Sequence, residues 1–159
     1  MPGKIAAAER AIVTLTTAGP SLSTGSAGVA NATADFDARA GGNSPDDFQA
    51  VFELVCQWAS VTGIVANSVA AELYLVPIVD GTNLPDVDLT AGSSALPLSG
   101  YASVFLCVKT PTAATNMRMP SFTVQFNPLL YRAYILNRSA QPMTANWSLR
   151  AVGVQGQYT

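Results

Sequence analysis

Asp80, Asp86 and Asp88 fall within nine positions of ELYLVPIVDGTNLPDVDLTAG (residues 72–92), with Gly81 and Asn83 among them. Carboxylates at that spacing could hold a cation or do acid–base work. Calcium takes about six to eight oxygen ligands, and an EF-hand loop has a mid-loop glycine and a closing glutamate. Here the glycine directly follows Asp80 and no glutamate closes the stretch. The cluster therefore reads as a solvated turn, and no metal or other cofactor is expected. As acid–base catalysts, two carboxylates would need burial or mutual proximity to separate their pKa values. A DGTN loop offers no apolar pocket for that.

The rest of the chain supplies no catalytic set. It contains no histidine, so the usual general base at neutral pH is missing. Lys4 and Lys109 are not preceded by a Ser-x-x-Lys arrangement, and the glycines at 25 and 28 lack the strand and helix that frame a phosphate loop. No catalytic residue is assigned, and the chain is not expected to be an enzyme. Cys56 and Cys107 each sit inside an apolar run (FELVCQW, SVFLCVK), where a cysteine acts as a small hydrophobe. With no histidine and no third thiol they cannot complete a zinc shell. Arg132 and Arg138 flank Tyr134 in YRAYILNR, which is the nearest approach to a basic, aromatic nucleic-acid surface. Two arginines on a chain of net charge −2 do not make one, so no nucleic acid is expected as a partner.

The elements around these residues are short. FQAVFELVCQW (48–58), AAELYLVPIV (70–79), YASVFLCVK (101–109), SFTVQFN (121–127), YRAYILNR (131–138) and NWSLRAVGV (146–154) are β-branched or aromatic and separated by turn signals. In WSLRAVGV, Trp147, Leu149, Ala151 and Gly153 oppose Ser148, Arg150, Val152 and Val154. In ELYLVPIV, Leu73, Leu75 and Val79 oppose Glu72 and Tyr74, and Pro77 predicts an edge or a bulge because it cannot donate to a ladder. KIAAAER (4–10) could form one or two helical turns, and AIVTLTT then reads as a strand. No long helical period follows. The fold class is all-β, an antiparallel sandwich or barrel.

Residues 18–47 hold Leu22, Val29 and Phe36 but almost no other large hydrophobe. Residues 1–47 are therefore expected as an extended N-terminal arm with little core of its own and at least one short strand, and 48–159 as the β-sandwich domain. Hydrophobic residues make up 49% of the chain and charged residues 11%, against about 25% charged in ordinary soluble domains. So few charges point to surface buried against other subunits. All ten acids lie at or before Asp88, giving −7 there against three basic groups, and the remainder carries five basic groups, +5. Such an asymmetry favours register and choice of partner. No run reaches the ~20 apolar residues of a membrane span, so no membrane partner is expected. MPGKIAAAER is interrupted by Glu9 and Arg10 and does not read as a secretory signal, which predicts synthesis in a cytoplasm with reduced cysteines.

Tyr74-Leu75-Val76-Pro77, then Asp80-Gly81-Thr82-Asn83, then the turn Asn137-Arg138-Ser139-Ala140-Gln141 together resemble a pattern of small bacteriophage virion proteins of the capsid decoration or cement type. There, a strand of the form YLVPSxDGTNYxD precedes a proline-flanked segment and an NxTGQ turn. This chain has Ala140 where that turn has glycine. The resemblance covers roughly residues 48–155. It implies a jelly-roll sandwich on the capsid surface, with the major capsid protein and further copies of itself (a homodimer or homotrimer) as partners. On that reading the arm orders on the capsid or a sister subunit, and deleting residues 1–40 should remove particle binding while leaving the sheets intact. The alternative is a tail- or fibre-associated receptor- or carbohydrate-binding jelly roll, for which Asp86, Asp88 and Tyr101 are the candidates.

Overall fold

A computed structural model describes residues 5–9, 11–25, 27–29, 36–39, 47–79, 101–107, 109–112 and 115–158. The described chain is all strand and turn. Eleven strands run in order: β1 (Ile5–Glu9), β2 (Val13–Gly19), β3 (Ala27–Val29), β4 (Phe36–Asp37), β5 (Asp47–Cys56), β6 (Ser68–Ile78), β7 (Tyr101–Cys107), β8 (Met117–Pro120), β9 (Val124–Gln125), β10 (Leu130–Asn137) and β11 (Trp147–Tyr158). They form two antiparallel sheets packed as a β-sandwich. In the first, β1 and β2 lie end to end along one side of β11, β5 pairs its other side, and β8 and β9 lie end to end beyond β5. In the second, β3 and β4 share one side of β10, followed by β6 and β7. Each sheet is thus four columns wide.

Alternation drives the packing. Trp147, Leu149 and Ala151 of β11, Ala50, Phe52, Leu54 and Cys56 of β5, and Met117 and Met119 of β8 are buried between the sheets. They meet Leu73 and Leu75 of β6 and Tyr131, Ala133 and Ile135 of β10. Phe36 of β4 packs edge-on to Phe52 and to Phe126, with ring centres 5.4 and 5.3 Å apart, joining the two layers. A bridge between Phe105 of β7 and Ser121 ties the sheets along one edge. Trp147 fits only because position 19 is glycine: a Cβ there would overlap the indole, whose Nε1 donates to the Pro20 carbonyl at 2.7 Å. Pro77 lies within β6, opposite Tyr131 of β10 and beyond Tyr74, the last residue of β6 described as paired with β7.

Several expectations are corrected. Ile5–Glu9 is a strand, not helical turns; it pairs with Val154–Tyr158, and five residues are too few for a helix to outcompete that ladder. Val79 is exposed rather than buried with Leu73 and Leu75, because β6 has ended by then. Within 121–127 only Val124–Gln125 is strand, while MRMP (117–120), poor in β-formers, is a full one. Leu15, Leu22, Phe36 and Ala38 belong to the shared core. Deleting residues 1–40 would strip β1 and β2 from β11 and remove these four side chains from that core, so it cannot leave the sheets intact.

Candidate interaction face

Among the described residues, those marked by the sequence for chemistry form no shared site. Asp80, Asp86 and Asp88 lie outside the described residues, as does Lys4, and Tyr101 is described only as backbone of β7. Lys109 is exposed. No group of three or more metal-ligating side chains occurs among the described residues. Cys56 and Cys107 are free and buried. Burial pushes the Cys56 thiol up to about 12, with the neighbouring Cys107 adding to the shift. Tyr134 is buried and offers no open ring face for a base, and Arg138 Nε is held by Glu72 Oε1 at 2.9 Å. Glu72 Oε2 also accepts from the Tyr74 hydroxyl at 2.9 Å. This group holds β6 to the start of the turn after β10. No helix among the described residues is long and apolar enough to cross a membrane.

The Asn137–Gln141 turn is structural. Asn137 is fully buried, and its amide ties three carbonyls from two separate chain segments, those of Leu22, Ser23 and Gln141. Gln141 Nε2 reaches the Thr62 carbonyl at 2.7 Å, and Ala140 lies against Gly63, whose φ of +81° favours glycine. Both features lock the loops at one end of the sandwich.

What is open is the outer face of the first sheet. Because side chains alternate along a strand, Val51, Glu53 and Val55 of β5 share that face with Ser148, Arg150, Val152 and Val154 of β11 and with Arg118 and Pro120 of β8. Register sets them in rows. Val152 stands opposite Val51, and Ile12, just before β2, extends that row at 65% exposure. Arg150 stands between Thr14 and Glu53, and Glu53 opposite Pro120; Val55 lies between Ser148 and Arg118. Phe122, which follows the bridging Ser121, is exposed as well. Glu53 Oε1 accepts from Arg118 Nη1 at 3.1 Å. Ile12, Val51, Glu53, Arg118, Arg150 and Val152 are among the residues lining a shallow depression of about 310 Å³ on this face. Single exposed valines are ordinary on strands; a row of apolar side chains running from Ile12 across β11 and β5 makes this face a candidate interaction surface. No sequence signal pointed to it, since Ile12, Val51 and Val152 come from three distant stretches.

No protein-family model matches the chain, and no curated protein matches it. Among solved structures, a chain in "Structure of infectious bursal disease virus Gt strain" aligns with 93% of this chain at 14% identity and a TM-score of 0.41. The alignment covers 35% of that viral chain, so this chain spans about a third of its length.

Proposed function

We propose that this chain is a non-enzymatic structural subunit of a bacteriophage particle that binds the outside of the capsid and stabilises it. The observation that carries the reading is the continuous apolar row of Ile12, Val152 and Val51 on the open face of the first sheet. A face of that kind suits burial against another protein, and several modest contacts made at once by one subunit become strong. Two further points support it. The order of the sheets, with β1/β2, β11, β5 and β8/β9 in one and β3/β4, β10, β6 and β7 in the other, is what a jelly roll of two Greek keys would give, an architecture that serves viral capsids and lectins. The YLVP, DGTN and NRSAQ segments also resemble those of phage decoration proteins. On this reading the partners are the major capsid protein and further copies of the chain, and the site of action is the capsid surface after synthesis in the host cytoplasm. No described residue favours the carbohydrate-binding alternative.

Mass-spectrometric quantification of purified particles of the encoding phage tests this. A simple ratio to the major capsid protein is expected. A few copies per particle would move the chain to the tail or portal, and absence from the particle would overturn the proposal.

A further inference from the structure

The open face of the first sheet carries a feature that apolar docking does not need. Arg150 sits in its middle, in register between Thr14 and Glu53. Its Nε is buried and has no hydrogen-bond partner. Glu53, the nearest carboxylate by register, is already engaged by Arg118. A buried donor without an acceptor costs free energy that a partner's acceptor would recover. Around it, Ile12, Val51 and Val152 supply aliphatic walls.

We infer that this depression is a docking site for a carboxylate-bearing segment of a partner protein, an aspartate or glutamate flanked by aliphatic side chains, with the carboxylate bonded to Arg150. Charge decides between this occupant and a second copy of the chain. The depression is lined by two guanidinium groups, Arg118 and Arg150, and one carboxylate, Glu53. Two copies apposed at this depression would enclose four guanidinium groups and two carboxylates that are already engaged, leaving uncompensated charge in a desolvated interface. An acidic segment cancels the single excess charge and satisfies Arg150. A guanidinium is also suited to hold a carboxylate through paired N–H donors. The inference uses the reading above only to say that the partner is a capsid subunit; the chemistry of the face stands without it.

The test titrates the full-length, ¹⁵N-labelled chain with a short soluble peptide carrying aspartate between valines, and with the same peptide carrying asparagine. Amide shifts are expected at Val51, Arg150 and Val152, with binding about tenfold weaker for the asparagine peptide, the scale of one charge-assisted hydrogen bond. R150Q should lose that discrimination, and R150K should keep part of it. If R150Q does not fold, the two peptides on the parent chain still decide the matter. Shifts elsewhere, equal binding of both peptides, or no binding would overturn the site. So would a concentration-dependent dimer in sedimentation velocity that V152D dissolves, which would assign the face to a second copy. Particle copy number does not enter this experiment, so the docking chemistry and the phage role fail separately.

Discussion

Replacing Asn137 with alanine perturbs the turn that joins β10 to β11. Asn137 Nδ2 donates to the carbonyls of Leu22 at 3.1 Å, Ser23 at 3.4 Å and Gln141 at 2.9 Å, while its Oδ1 accepts from the Ser139 amide at 3.0 Å and hydroxyl at 2.7 Å. At about 1 kcal/mol net for each hydrogen bond, a plain sum would approach ~5 kcal/mol. The partners' other bonds reduce that. Leu22 O still accepts from the Met143 amide at 2.8 Å, and Gln141 O from the Ser139 hydroxyl at 2.7 Å. The buried Ser139 amide loses its acceptor, at roughly 1–3 kcal/mol, and the vacated space adds about 1 kcal/mol. The expected loss is therefore ~2–4 kcal/mol, or a fall of about 1–2 M in urea midpoint at a slope near ~2 kcal/mol per M.

Asn137→Asp sharpens the test. It keeps the acceptor for Ser139 but turns the donor toward three carbonyl oxygens into a charged oxygen. Burial and those oxygens raise the folded pKa of the new carboxyl above its unfolded value of about 3.9. A raised folded pKa favours folding below the unfolded value and loses that contribution as pH rises through the folded one. Asn137→Asp should therefore be less stable than Asn137→Ala at neutral pH, and its deficit against the parent should shrink toward about pH 4. Urea unfolding of all three proteins, followed by far-UV circular dichroism at both pH values, reads this out. The reasoning is refuted by an alanine midpoint within about 0.3 M of the parent. An aspartate variant that matches the alanine one at neutral pH and does not recover in acid would refute it equally.

Gly19→Ala should cost roughly 1–3 kcal/mol or more, because the added methyl overlaps the Trp147 ring; thermal unfolding and the near-ultraviolet signal of the indole should both shift, and an unchanged melting curve would mean the ring is not packed there. Cys56, with its thiol pushed up to about 12 by burial, should resist maleimide in native buffer near pH 8 and label only with unfolding in urea. Stoichiometric labelling of native protein at Cys56 would contradict its buried position on β5.

Strands whose pattern follows from burial were legible. β11 alternates cleanly because Trp147, Leu149 and Ala151 face the core and Arg150, Val152 and Val154 do not. β1 and β8 were hidden for the opposite reason: Ala-rich IAAAE and Met/Arg/Pro in MRMP have poor strand propensity, and the ladders to β11 and β5 override it. The role of Leu15 and Phe36 was obscured by their polar, glycine-rich surroundings, although each inserts fully into the core. The turn at Asn137 could be located from its residues, but not its function as a buried knot, since the Leu22 and Ser23 carbonyls are more than a hundred positions away. Arg150 is a similar case. The lack of a partner at its Nε exists only once three strands are in register and Arg118 has taken Glu53.

The two sheets differ in a way that bears on docking. In the second, residues that alternate away from the core are buried as well: Tyr74 and Val76 of β6 and Leu136 of β10 are all covered. ELYLVPIV therefore reads as a nearly continuous apolar run, as strands buried on both faces do. In the first, the outward residues Val51 and Arg118 are exposed, and Glu53, Val55, Arg150, Val152 and Val154 are only half-buried. β-propensity can account for valine at any one of these positions, but not for their alignment with Ile12 in a single row. Nor does it account for an arginine between them whose Nε has no acceptor. A surface kept for solubility would place charge where Val51 and Val152 stand, as edge and open faces of monomeric sheets generally do. Among the described residues the outward side of the second sheet is the more covered, and that of the first combines apolar reach with an arginine whose Nε has no acceptor.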